Sequence, residues 1–141
     1  MKVLVCDPIS QTGIEHLQQQ NGLETIVLDR CHSEEELLPI MKDVSAMAVR
    51  SETKVTKTIL EAAPEMRIVG RAGVGVDNID IEAATQNGVI VMNTPGGNTT
   101  ATCELTFSMM MALARNIPQA HGSMVAGEWN RKAFKGVELY G

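Results

Sequence analysis

The sequence predicts an α/β fold: a flavodoxin-like, doubly wound parallel sheet of five strands, followed by a long apolar helix extending from the domain. Three observations predict it. Short apolar runs recur through the first 94 residues, separated by helix-length segments. Each run is continuous rather than alternating, which marks strands buried on both faces and therefore a parallel sheet with helices on either side. At Thr94-Pro95-Gly96-Gly97-Asn98 this alternation stops and a long helical run begins.

In chain order, Val3-Leu4-Val5-Cys6 reads as the first strand. A helix over Ile9 to Gln20 follows, with Ser10 as N-cap, Ile14 and Leu17 inward, and Asn21-Gly22 as its stop. Thr25-Ile26-Val27-Leu28 is the second strand. Ser33-Glu34-Glu35-Glu36 has the form of a capping box and opens a helix to about Lys42. Ala46-Met47-Ala48-Val49 is the third strand, and Thr56 to Ala63 is a short helix stopped by Pro64. Ile68-Val69-Gly70 begins the fourth strand. Asn78 or Asp77 caps a helix over Ile79 to Gln86, ended by Asn87-Gly88, and Val89-Ile90-Val91-Met92 is the fifth strand. The strand order expected by analogy is 2-1-3-4-5.

Beyond the Pro-Gly-Gly turn, Asn98 or Thr99 caps a helix to about Arg115. Asn116 and Pro118 mark a cap and restart, and the second helix ends near Gly127. Between Leu105 and Ala114 the first of these helices has little polar face. A helix apolar all round is expected to be buried all round, by a second copy, by another domain, or by the core of its own domain.

Composition narrows the function. Apolar residues make up 44% of the 141 residues, charged residues 21% and aromatics 3%, the balance of a globular domain. Twelve Lys+Arg against seventeen Asp+Glu leave a net charge of −5, the wrong sign for a general nucleic-acid binder. Cys6, Cys31 and Cys103 are odd in number, with no C-x-x-C, so neither a disulfide framework nor a metal cage is expected, and a reducing cytoplasm fits. Asp7-Pro8 ends the first apolar run too early for a secretory signal. The uncharged stretch Leu105–Ala114, interrupted by Thr106 and Ser108, is about half the ~20 residues a membrane span needs.

In an open parallel sheet, ligands bind beyond the carboxyl ends of the strands. Those ends here are Asp7-Pro8, Asp29-Arg30, Arg50-Ser51, Arg71-Ala72-Gly73-Val74-Gly75 and Asn93-Thr94. Arg50 offers a fixed cation and Ser51 a hydroxyl, which suit a small carboxylate or phosphate ester. Gly73-Val74-Gly75 can turn tightly and aim successive N–H groups at one anion. The alternatives are a surface ion pair of Arg50 with Glu52, and simple turn geometry for the glycines. Gly73-Val74-Gly75-Val76-Asp77-Asn78 reads G-x-G-x-x-N, without the third glycine of a dinucleotide fingerprint, and Asn93 stands where a ribose-binding acid would be needed. Asp7 reads best as a loop cap. His16, His32 and His121 read as surface or packing residues, and Met109-Met110-Met111 as packing rather than a metal box. Arg50 and Asn93 occupy the places where a phospho-receiver would need Asp and Lys, which excludes that reading. A stand-alone small-acid binding or dimerisation module remains an alternative.

Val49-Arg50-Ser51, Val69 through Asp80, Met92 through Thr99 and Glu104-Leu105-Thr106 resemble the D-2-hydroxyacid dehydrogenase family, and the likeness runs on through Trp129-Asn130-Arg131-Lys132. The resemblance implies a substrate-binding domain over residues 1–94, lacking its C-terminal segment. It makes residues 95–141 the hinge and first helices of a nucleotide-binding domain otherwise absent. It implies that Arg50 and Ser51 hold an anionic 2-hydroxy acid, and that Gly73, Val74 and Gly75 present backbone N–H groups to its carboxylate. Val74 would lie near the nicotinamide of NAD and Asn98 would approach the substrate. The helix Leu105–Ile117 would pair in a homodimer. The NAD fingerprint and catalytic residues of the family lie past Gly141, so this chain alone is expected to be inactive.

Overall fold

The computed structural model describes residues 1–140. Contacts divide the chain into one unit over Met1–Gly97 and a second over Asn98–Gly141.

The first unit is built on five parallel strands: β1 (Lys2–Val5), β2 (Glu24–Val27), β3 (Val44–Val49), β4 (Ile68–Arg71) and β5 (Ile90–Asn93). Their order is β2-β1-β3-β4-β5, as expected. Val49 lies opposite Arg71, and Arg71 opposite Asn93, so the carboxyl ends of β3, β4 and β5 finish in register. Leu4, Met47, Val49 and Val69 from the central strands pack with Leu37, Met41, Ile59 and Leu60 into the core. Burial on both faces holds for these central strands but not for the edges. β2 and β5 each have a neighbour on one side only, and Ile90 of β5 is 62% exposed.

The helices are α1 (Gln11–Gln18), α2 (Glu34–Leu37), α3 (Lys57–Glu61) and α4 (Ile81–Gln86). Ser10 caps α1 by accepting from the Gly13 N–H at 3.2 Å. The capping box at α2 forms: Ser33 Oγ accepts from Glu36 N–H at 3.4 Å, and the Glu36 carboxylate accepts from Ser33 N–H at 2.9 Å. This helix does not reach Lys42 as an α-helix. Pro39 has no N–H to continue the ladder, so the chain tightens into a 3₁₀ helix over Leu38–Asp43. Neither Asp77 nor Asn78 caps α4. Asp80 does, accepting from Ala83 N–H at 2.9 Å, which starts the helix at Ile81.

The second unit holds α5 (Thr99–Ala114) and α6 (Ile117–Val125). Asn116 joins them in the left-handed conformation, φ 53°, which Asn tolerates better than most residues. Polar residues Thr99, Thr100, Thr102, Glu104, Thr106 and Ser108 run through the first part of α5, so its uniformly apolar stretch is Met109–Ala114. No residue of α5 is buried; Phe107 is 60% and Leu113 73% exposed. The tail returns to the end of this helix, where Val137 N–H donates to the Ala114 carbonyl at 2.9 Å, and a Cβ on Gly136 would strike that carbonyl.

Arg30 grips Glu36 with two hydrogen bonds, at 2.6 and 3.1 Å. That pair, together with the Ser33 N–H, pulls the Glu36 carboxyl down to about 2. A carboxyl lowered on folding stabilises the fold above its ordinary value of 4.5 and loses that contribution as pH falls toward about 2. A carbon-detected NMR titration of Glu36 should therefore show a midpoint near 2, and Arg30→Ala should raise it. A midpoint at the ordinary carboxylate value in the unsubstituted chain would contradict the pairing.

Candidate functional site

β1 ends two residues before a buried acid. Asp7, 3% exposed, follows Cys6, whose N–H still pairs with the Ala48 carbonyl of β3 at 2.9 Å. Asp7 Oδ2 accepts from the Arg50 N–H at 2.6 Å. Both carboxylate oxygens face the Thr53 N–H at 3.2 Å, and Oδ1 accepts from the Thr53 hydroxyl at 2.6 Å. Asp7 is thus the loop cap the sequence suggested, and it caps the loop that carries Arg50. Beside it, burial and then the Asp7 charge push the Cys6 thiol up to about 12. That group is neutral in both folded and unfolded chains below its ordinary value of 9.0, so it withdraws stability only as pH rises from there toward about 12.

The other side of the Arg50 peptide is held as firmly. Its carbonyl accepts from Asn78 Nδ2 at 2.8 Å and from Arg71 Nε at 3.3 Å. Asn78 Nδ2 also reaches the Thr53 carbonyl at 2.6 Å. With its backbone fixed, the exposed Arg50 side chain reaches out and places Nη1 3.3 Å from the Pro8 carbonyl. The Glu52 pairing left open by the sequence does not form: among the described residues, no acid pairs with Arg50. Arg50 lines a shallow cavity of about 540 Å³ with Pro8, Ser10 and Ala72. Ser51 lines a different one, of about 410 Å³, with Lys54, Thr56 and Asn78.

At the end of β4 the chain folds around Arg71, whose side chain is 12% exposed. Its guanidinium donates to the Gly75 carbonyl and lies 3.9 Å from Asp77 Oδ1. Neither Gly73 nor Gly75 needs positive φ. What they need is room: a Cβ on Gly73 would lie 3.0 Å from Arg71 Nη1, and one on Gly75 would lie 2.8 Å from Asp77 Oδ1 and 3.3 Å from Arg71 Nη1. Gly73 turns its N–H inward to the Arg71 carbonyl at 2.9 Å. It therefore does not present that donor outward, as the family resemblance implied. Among the described residues, the N–H groups of Val74 and Gly75 meet no protein acceptor. Val74 is 44% exposed. From β5, Thr94 N–H donates to the Gly73 carbonyl at 2.9 Å, and Asn93 Nδ2 to the Val74 carbonyl at 2.7 Å.

The carboxyl edge of β3 and β4 thus carries a guanidinium with no acid partner and, across Arg71, a loop whose amide donors, those of Val74 and Gly75 among them, meet no protein acceptor among the described residues. Such a set can take an anion. Sequence reasoning placed Arg71, Asn93 and Thr94 on this edge with Arg50, Ser51 and the glycines but gave those three no role in the site. The signal available for Arg71 was an arginine ending a strand beside G-x-G. Asn98 opens the second unit as the N-cap of α5, with no side-chain capping bond. His32 makes a pairing that spacing did not flag: Nε2 lies 4.0 Å from Asp29 Oδ1, just past β2. Asp7, Cys31 and Glu52 bring ligand atoms within 4.8 Å of one another. The Asp7 oxygens already accept from Arg50 and Thr53, so the cluster gives no reason to assign a metal. The glycine loop also does not lead into a helix N-terminus as a dinucleotide pyrophosphate needs: α4 begins only at Ile81.

Known dehydrogenases resemble this chain along its whole length. The family model for the D-isomer specific 2-hydroxyacid dehydrogenase catalytic domain matches residues 3–133. The chain is 48% identical over 141 residues to the D-3-phosphoglycerate dehydrogenase of Methanocaldococcus jannaschii, covering all of this chain and 26% of that protein. It is 47% identical over 140 residues to the human D-3-phosphoglycerate dehydrogenase, covering 99% of this chain and again 26% of the relative. The chain therefore spans about a quarter of the length of these relatives. Among solved structures, the NAD⁺-bound 3-phosphoglycerate dehydrogenase of Entamoeba histolytica superposes with a TM-score of 0.76 at 32% identity, covering 99% of this chain and 43% of that one.

Asp7→Ala would leave three buried or half-buried donors of the Arg50 loop without their acceptor. Urea unfolding should show a loss of about 1–3 kcal/mol. Asp7→Asn, which keeps one carbonyl acceptor, should lose less. An alanine variant as stable as the parent would contradict the cap.

Proposed function

Because the chain belongs to the D-isomer specific 2-hydroxyacid dehydrogenase family, we propose that it is the N-terminal, substrate-binding portion of an NAD-dependent D-3-phosphoglycerate dehydrogenase. In that reading the whole enzyme oxidises 3-phospho-D-glycerate to the 2-oxo acid at the entry to serine synthesis, in the cytoplasm. The C2 hydride passes to NAD⁺ and the hydroxyl proton to a base. Residues 1–94 form the substrate domain, and residues 95–141 are the hinge and first helices of the nucleotide domain.

The observation that carries this reading is the Arg50 guanidinium, free of any acid partner, on the strand edge it shares with the unpaired Val74 and Gly75 amides. The amides suit the two oxygens of the substrate carboxylate, and Arg50 its charge. Ser51 supplies a further hydroxyl from the adjoining cavity, and Asn98 is added by the family resemblance. Val74 borders the nicotinamide. These residues bind and orient the acid; none of them moves the hydride or its proton, so these 141 residues alone are proposed to be inactive. Relatives at about 48% identity that are D-3-phosphoglycerate dehydrogenases support the choice of substrate.

The exposed apolar surface of α5 supports a homodimer through Leu105–Ile117. Each large side chain covered there would contribute roughly 1.5–3 kcal/mol before entropy costs. Light scattering at micromolar concentration should find a dimer; monomer alone would contradict the pairing.

Calorimetric titration with 3-phosphoglycerate tests the substrate site. The chain should bind it without nucleotide, and Arg50→Gln should weaken binding by about tenfold, the worth of one charged hydrogen bond. Equal affinity in the two proteins would overturn the assignment of Arg50. With NAD⁺ and substrate, absorbance of NADH should stay flat; a rise that depends on this chain would overturn the proposed inactivity.

A further inference from the structure

We propose that Asn93 is a positioning residue of the acid site: its side-chain amide holds the Val74 carbonyl and thereby aims the Gly75 N–H outward. The inference rests on the reading of this edge as a carboxylate site, and it adds to that site a residue that does not touch the ligand.

The argument starts from the planar trans peptide, in which C=O and N–H point to opposite sides. Fixing one carbonyl therefore fixes the direction of the next residue's N–H. Three successive carbonyls of the glycine loop are fixed in this way. The Gly73 carbonyl accepts from Thr94 N–H at 2.9 Å and from its hydroxyl at 3.3 Å, which sets the Val74 N–H. The Val74 carbonyl accepts from Asn93 Nδ2 at 2.7 Å, which sets the Gly75 N–H. The Gly75 carbonyl accepts from Arg71, which sets the Val76 N–H.

The loop needs such holding. Both its glycines are free of side-chain restraint, and Val74 stands exposed at its tip. The Thr94 backbone contact would survive most substitutions, whereas the contact to the Val74 carbonyl comes from one side chain. Asn93 can provide it because β5 ends in register with β4, Asn93 opposite Arg71, so its amide meets the loop that leaves the neighbouring strand. An aspartate at this position would have no donor for that carbonyl. The departure of Asn93 from the ribose-binding acid of a dinucleotide fold therefore has a structural use.

The test uses the chain in solution, with 3-phosphoglycerate as the probe, and compares it with Asn93→Leu, which keeps bulk and charge but removes the donor. Two readouts separate the two claims. Amide hydrogen exchange and ¹⁵N relaxation report order at Val74 and Gly75 without ligand, and calorimetry reports affinity. The expected result is selective loss of order at Gly75, with Val74 much less affected. Affinity should weaken by about fivefold, the worth of one ordinary hydrogen bond, with the unfolding midpoint unchanged. A Gly75 amide as ordered as in the parent would overturn the proposal. If the parent itself fails to bind, the acid-site reading falls, while the Gly75 order still decides the role of Asn93. Should Asn93→Leu not fold, Asn93→Ala gives the same comparison, with the same result expected and the same result overturning it.

Discussion

The buried carboxylate of Asp7 fixes where the chain goes after β3, and the candidate site depends on that. A carboxylate taken out of water must be met by donors, and here the donors are the Arg50 and Thr53 amides and the Thr53 hydroxyl. Meeting them ties the end of β1 to the loop after β3. Asn78 then ties that loop to the segment leading into α4, through the carbonyls of Arg50 and Thr53. Arg71 links the same Arg50 carbonyl to the glycine loop. The Arg50 peptide is held at both its N–H and its carbonyl, while its exposed side chain donates to the Pro8 carbonyl. A short hydrogen-bonded chain from Asp7 to Gly75 ties the loop that carries Arg50 to the glycine loop after β4.

Much of this was legible in the residues. The continuous apolar runs located all five strands to within two residues at each end, and turn chemistry located most caps. Ser10 and the Ser33–Glu36 box do what their spacing says, because capping is decided within four residues. What was not legible needed contacts distant in sequence. Asp77, Asn78 and Asp80 are all plausible caps for one helix; Asp80 takes the task because Asn78 is drawn to the Arg50 loop, 28 residues earlier. Burial of the edge strands was overestimated because an apolar run does not say how many neighbours its strand will have. The glycines were read for conformational freedom, whereas their structural need is space for Arg71 and Asp77. The roles of Arg71, Asn93 and Thr94, residues the strand ends already placed on this edge, were not legible, since each holds backbone that folds back onto it in space.

The second unit presents a different constraint. Its main helix exposes Phe107, Met109 and Leu113, and the chain spans about a quarter of the length of its curated relatives. The proposed reading of the chain as the substrate-binding portion of a longer dehydrogenase draws on both units: the Arg50 edge of the first and the uncovered apolar stretch of α5 in the second.

The most direct test of this account is an NMR titration of the chain with 3-phosphoglycerate, following the backbone amides and the arginine side chains together. The account predicts that the Val74 and Gly75 amides and the Arg50 guanidinium shift in concert along one binding curve. Shifts confined to the basic residues Arg131, Lys132 and Lys135 of the second unit, with the Arg50 and glycine-loop signals unmoved, would contradict it.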